Sequence, residues 1–104
     1  FAPCDLVIEA ATEREEVKRA IFASVGAHLS ATAILATNTS SIPITRLAQA
    51  APDAARFIGV HFFNPVPVMG LIELIRGLAT SAATLATVEA FGRNLGKEIV
   101  HSYD

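Results

Sequence analysis

"RFIGVHFFNPVPVMGLIELI" runs from Arg56 to Ile75. Two short apolar runs, "RFIGVHFF" (Arg56–Phe63) and "LIELI" (Leu71–Ile75), flank a proline-containing link. Each run is rich in β-branched and aromatic residues and is bounded by turn-forming ones, which reads as a buried strand. The link is too short to hold a crossover helix, so this pair of strands is expected to depart from parallel order. One imidazole, His61, and one carboxylate, Glu73, stand in this apolar region twelve positions apart.

Outward from this centre the same grammar repeats. "DLVIEA" (Asp5–Ala10) reads as a first strand, "TAILATN" (Thr32–Asn38) as a second, and "EIVHS" (Glu98–Ser102) as the last. Between the first two, Thr12-Glu13-Arg14-Glu15 has the form of a capping box, with the Thr hydroxyl accepting first-turn N–H groups and Glu15 reaching back. Val17, Ala20, Ile21, Ser24, Val25 and His28 then fall at three- and four-residue spacing. They predict the inward face of an amphipathic helix, with Glu16, Lys18 and Arg19 outside it. "SSIPITRLAQAA" predicts a turn into a short helix with Pro43 in its first turn. A further helix is expected from Thr80 or Ser81 to "NLGK", where Gly96 suits a left-handed C-terminal cap.

Buried strands alternating with helices predict an α/β domain on a mostly parallel, doubly wound sheet. The chain begins on a strand and ends just after one, which predicts a piece of something larger. In open sheets of this kind ligands bind beyond the carboxyl ends of the strands. Polar residues gather at three such ends: Glu9 to Glu13, "TNTSS" (Thr37–Ser41), and His61 to Asn64. All three clusters are expected to line one crevice.

Composition narrows the function classes. The 104 residues are 52% hydrophobic and 17% charged, enough for a core and contrary to disorder. A net charge of -2 provides no basic footprint, so neither nucleic acid nor an anionic membrane is an expected partner. The single cysteine, Cys4, excludes an internal disulfide and a multi-cysteine metal site. From Ala20 to Thr45 there is no Asp, Glu, Lys or Arg, but His28, Asn38, Pro43 and several Ser and Thr interrupt the run. It reads as helix, turn and strand, not as a membrane span. With no secretory pattern at the start, the expected location is cytoplasmic, or the mitochondrial matrix for a eukaryotic protein.

A carboxylate in "LIELI" is costly to bury unless paired, and the histidine of the neighbouring strand is the nearest partner. Such a pair fixes the imidazole tautomer and leaves one ring nitrogen for proton transfer, or it is simply a satisfied buried pair; spacing leaves both open. "TNTSS" can hold a cofactor or substrate oxygen, or serve only as capping residues in a turn. His28 and His101 have no ligand-type spacing to His61, so no metal is expected. Lys18 reads as a solvated helix charge, Glu13 as a first-turn residue, and Glu9 as an edge carboxylate. Neither G-x-G-x-x-G nor a Walker-type loop occurs, so a dinucleotide's pyrophosphate must rest on residues outside these 104.

"DLVIEAATE", "ATNTSSIPIT", "RFIGVHFFNPVPVMGLIELI" and "LGKEIV" together resemble the L-3-hydroxyacyl-CoA dehydrogenase family over essentially the whole chain. The match is to the second half of that family's Rossmann-type NAD-binding domain, without its Gly-rich first half or its C-terminal helical domain. The resemblance implies NAD-dependent oxidation of a 3-hydroxyacyl-CoA, with His61 as the base and Glu73 supporting it. Ser40 matches a position touching both nicotinamide and substrate. Ala10, Glu13, Lys18, Asn38 and Asn64 match cofactor-contacting or neighbouring positions. The parent protein is expected to be a homodimer or part of a multifunctional β-oxidation enzyme. The alternative is a non-catalytic fragment or a crystallin-like structural relative of the same fold.

Overall fold

The computed structural model describes residues 6–10, 13–30, 32–39, 42–62, 71–96 and 98–103. Five strands form one sheet in the order β1 (Leu6–Glu9), β2 (Ile34–Thr37), β3 (Phe57–Phe62), β4 (Leu71–Arg76), β5 (Glu98–Tyr103). β1, β2 and β3 run parallel, β3 and β4 pair antiparallel, and β4 and β5 are again parallel. The antiparallel step falls where the short Pro-containing link predicted it. The register aligns Glu9 with Thr37, Thr37 with Gly59, and His61 with Glu73.

Among the described residues three α-helices wind the sheet. α1 (Glu15–Gly26) crosses from β1 to β2, and α3 (Ala82–Asn94) from β4 to β5. α2 (Ile44–Leu47), followed by 3-10 turns at Ala48–Ala50 and Ala54–Arg56, connects β2 to β3. Strand side chains alternate between faces, and each face has its own core. On one face Ile34, Ala36, Ile58, Val60, Ile72 and Leu74 pack with Val88 and Leu85 of α3. On the other, Leu35 and Phe57 pack with Phe22 of α1 and with Ile44 and Leu47 of α2. Phe22 and Phe57 meet edge to face, centroids 5.2 Å apart. Helices on both faces of a mostly parallel sheet make this the doubly wound α/β architecture expected.

The ends of α3 follow the sequence reading. Ser81 is its N-cap, its Oγ accepting from the Thr84 N–H at 3.1 Å, and Gly96 beyond its end has φ 76°. α1 departs from it. The helix begins at Glu15 after the N-cap Arg14, which makes no side-chain cap. Glu15 does not reach back: its Oε2 accepts from Arg19 Nε at 3.0 Å and Arg46 Nε at 2.9 Å. Two guanidinium donors occupy that carboxylate with charge-assisted hydrogen bonds. Thr12, the expected cap, lies outside the described residues. Pro43 sits at the N-cap of α2, one position before its first turn.

The inward face of α1 also differs. Lys18 and Phe22 are its fully buried residues, with Val25 and Leu29 partly covered beyond them, while Ala20, Ser24 and His28 are exposed. The large ring of Phe22 sets the rotation of the helix and carries Lys18, one turn earlier, inward with it.

Candidate active site

The strand register places the candidate residues on one face of the sheet. Val7 and Glu9 of β1, Leu35 and Thr37 of β2, Phe57, Gly59 and His61 of β3, and Glu73 and Ile75 of β4 share the parity of the α1–α2 face. Toward the carboxyl ends of β1 to β3 the apolar positions give way to Glu9, Thr37 and His61. Because β4 runs the other way, Glu73 near its start arrives at the same end. The antiparallel step therefore turns a twelve-residue separation into a cross-strand pair.

His61 Nδ1 lies 3.5 Å from Glu73 Oε1, and each side chain is 29% exposed. The pair is thus partly open to solvent, not desolvated as its apolar sequence surroundings implied. Val100, which flanks Glu73 on β5, is itself 42% exposed. In this arrangement the carboxylate can orient the ring and stabilise an imidazolium, which is what a proton-accepting histidine requires.

The second cluster is formed by β1, β2 and α1, and it overturns the reading of Lys18 as a solvated charge. The Lys18 side chain has no exposure, and its Nζ donates to Glu9 Oε1 at 2.7 Å, to the Asn38 carbonyl at 3.2 Å and to Thr37 Oγ1 at 3.3 Å. The Thr37 hydroxyl donates to Glu9 Oε1 at 2.6 Å, and the Asn38 N–H to the Glu9 carbonyl at 2.7 Å. Glu9, expected at an exposed edge, is 6% exposed. Glu9 and Thr37 were not recognisable as partners of Lys18 from helix periodicity alone. The signal available was parity: Glu9 shares Val7's side of the first strand, and Lys18 stands four residues before Phe22.

Above this network the described residues beyond the strand ends are mostly polar. Ala10 is exposed, Asn38 is partly covered, and exposed Glu13 accepts from Thr39 Oγ1 at 2.9 Å. The same Thr39 hydroxyl oxygen accepts from the Ile42 N–H at 3.3 Å, so Thr39 also makes a local side-chain to backbone bond. The structure thus brings Ala10, Glu13, Lys18 and Asn38 to the ends of β1 and β2, and His61 and Glu73 to the adjoining end of β3 and start of β4. Ser40, Ser41 and Asn64 lie outside the described residues. This edge suits a nucleotide: a one-carbon side chain at Ala10 leaves backbone open to a ligand, Glu13 and Asn38 offer polar groups, and the buried cation below has its counter-ion. No helix among the described residues is long and apolar enough to cross a membrane.

A family described as "3-hydroxyacyl-CoA dehydrogenase, NAD binding domain" matches residues 1–104. The chain is 56% identical over 104 residues to a 3-hydroxybutyryl-CoA dehydrogenase of Bradyrhizobium diazoefficiens, covering 100% of this chain and 36% of that protein. It is 46% identical over 97 residues to the fatty acid oxidation complex subunit alpha of Pseudomonas syringae, covering 93% of this chain and 14% of that one. The crystal structure of (S)-3-hydroxybutyryl-CoA dehydrogenase from Ralstonia eutropha superposes with a TM-score of 0.91 at 52% identity, covering 96% of this chain and 35% of the other. The chain therefore spans little more than a third of the length of these two 3-hydroxybutyryl-CoA dehydrogenases.

Proposed function

This chain belongs to the 3-hydroxyacyl-CoA dehydrogenase family, within its NAD-binding domain, and on that premise we propose that the whole protein oxidises L-3-hydroxyacyl-CoA to 3-ketoacyl-CoA with NAD. The observation that carries the proposal is the cross-strand pair: His61 and Glu73 are register partners, with Nδ1 and Oε1 3.5 Å apart, at the strand ends where open sheets bind their ligands. Residues 1–104 act as the second half of the nucleotide domain, and the Gly-rich half and a helical substrate domain belong to the remainder of the protein.

In this reading Ala10, Glu13, Lys18, Asn38, Ser40 and Asn64 would hold NAD, and Ser40 would meet both its nicotinamide end and the substrate. Bound NAD supplies the hydride acceptor. With Nδ1 directed at Glu73, the His61 Nε2 takes the proton of the substrate's 3-hydroxyl as the C3–H bond breaks. The O–H electron pair becomes the second bond of the new ketone. Glu73 keeps the ring in the tautomer that can accept that proton and then stabilises the imidazolium. In the reverse direction the same nitrogen returns the proton to the alkoxide. The paired names of the relatives support a short-chain substrate of the 3-hydroxybutyryl type, in fatty acid β-oxidation or butyrate metabolism. The protein acts as a homodimer or as one part of a multifunctional enzyme, in the cytoplasm or mitochondrial matrix.

The test is steady-state turnover of the full-length protein followed by NADH absorbance. His61→Gln is expected to lower kcat by about 10²–10⁴-fold while NADH binding persists. Near-wild-type turnover by this variant overturns the assignment of His61 as the base and, with it, the mechanism.

A further inference from the structure

We infer that Glu9 is a positioning residue for the nucleotide site, acting through Lys18 and Thr37 to lock the carboxyl ends of β1 and β2 beneath the cofactor. The inference rests on the reading above, in which NAD lies across those strand ends.

Three facts support it. First, the pair is built into a hydrogen-bonded ring. Lys18 has three Nζ protons, and three acceptors lie within reach: Glu9 Oε1, Thr37 Oγ1 and the Asn38 carbonyl, at 2.7, 3.3 and 3.2 Å. The Thr37 hydroxyl closes the ring by donating to the same Glu9 oxygen at 2.6 Å. Glu9 thereby fixes the Lys18 ammonium at the strand ends that carry the cofactor in that reading.

Second, each partner comes from a different element. Glu9 is the last residue of β1, Thr37 the last of β2, and Lys18 stands in the first turns of α1. The Asn38 backbone is held on both sides of its Cα, its carbonyl accepting from Lys18 and its N–H donating to the Glu9 carbonyl at 2.7 Å. Asn38 and Ala10, which immediately follow these strand ends, form the backbone floor on which the cofactor rests. A fixed floor matters because hydride transfer is sensitive to small misplacements of the reacting atoms.

Third, an ion pair is not the cheapest way to fill this space. Well-packed apolar residues of similar volume commonly stabilise as well or better, whereas a hydrogen-bonded charge pair permits only one arrangement. Its side chains are 0% and 3% exposed, so neither solvent nor salt relieves that constraint. The pair specifies the relative position of α1, β1 and β2 at the one end of the sheet where a ligand needs it.

The experiment uses the full-length protein and NADH as the probe. Glu9→Gln keeps the shape of the side chain but removes the charge that holds Lys18. It is expected to raise the NADH dissociation constant by roughly tenfold, read by fluorescence titration at a temperature where the variant is folded, with the KM for the acyl-CoA within about twofold of wild type. Thr37→Val removes one member of the ring with little change in volume and is expected to shift NADH affinity the same way by a smaller factor. It replaces Glu9→Gln should the latter fail to fold. A variant that melts earlier but binds NADH as wild type does shows a purely structural role and overturns the inference. So does an equal loss of affinity for NADH and acyl-CoA, which indicates general loosening. A wild-type protein that binds no NADH overturns the functional reading itself, and this inference with it.

Discussion

Ile44 of α2 owes its seat on the sheet to a neighbour with no side chain at all. Gly59 lies between Phe57 and His61 on the α1–α2 face of β3. A Cβ there would stand 2.6 Å from Ile44 Cδ1, 2.8 Å from Ile44 Cγ1 and 3.1 Å from Ile75 Cβ. The missing carbon lets α2 seat Ile44, 1% exposed, directly on the strand that carries His61. Gly59→Ala forces Ile44 out of its place, so it is expected to destabilise by about 1–3 kcal/mol. A denaturant midpoint equal to that of wild type would contradict the close approach. The same scale shows what the sequence withheld. A histidine and a glutamate twelve apart could be paired on paper, because both lay in runs that announced themselves as strands. Lys18 could not, since a lysine on an amphipathic helix is normally a solvated charge and only the packing of Phe22 turns it inward.

At the scale of elements, α1 and α2 are fastened to each other outside the core. Glu15 accepts from Arg19 on its own helix and from Arg46 on α2, and Arg19 Nη2 donates to the Arg46 carbonyl at 3.0 Å. Partial burial works to raise the Glu15 carboxyl pKa, but the hydrogen bonds from Arg19 and Arg46 outweigh it and hold the group below its ordinary value. A carboxyl lowered in the folded state contributes stability that is present above its unfolded value and is lost as pH falls through its folded one. Glu15→Gln is therefore expected to melt below wild type at neutral pH, with the gap closing as pH drops below about 4.5. Thermal melts across that range check it, and a gap independent of pH would show that the carboxylate charge contributes nothing. The elements themselves were readable because their sequences agree with them locally: Ser81 at one end of α3 and Gly96 beyond the other leave little choice. The start of α1 was not, because a capping-box pattern and a two-arginine clasp compete for the same Glu15, and Arg46 is thirty-one residues away.

For the whole molecule, topology joins what sequence distance separates. Two parallel steps bring the ends of β1, β2 and β3 to one edge, and one antiparallel step returns Glu73 to it. The edge was legible from strand order alone; the buried ring beneath it needed three-dimensional contacts among residues 9, 18 and 37. What this edge offers a dinucleotide is the exposed backbone of Ala10 and the polar side chains of Glu13 and Asn38. A pyrophosphate is held instead by successive backbone N–H groups of a Gly-rich turn at a helix N-terminus, and no G-x-G-x-x-G occurs in the 104 residues. Binding energy from the two halves of a dinucleotide combines in one ligand, so half a site holds it far more weakly than the product of both would. The 104-residue chain alone is accordingly expected to bind NADH with a dissociation constant weaker than ~1 µM, or about −8 kcal/mol. Titrating NADH fluorescence against the isolated chain and the full-length protein, side by side, measures the difference. Submicromolar binding by the isolated chain would mean that the ends of β1 and β2, pinned by Glu9 and Lys18, hold the nucleotide without a glycine-rich turn.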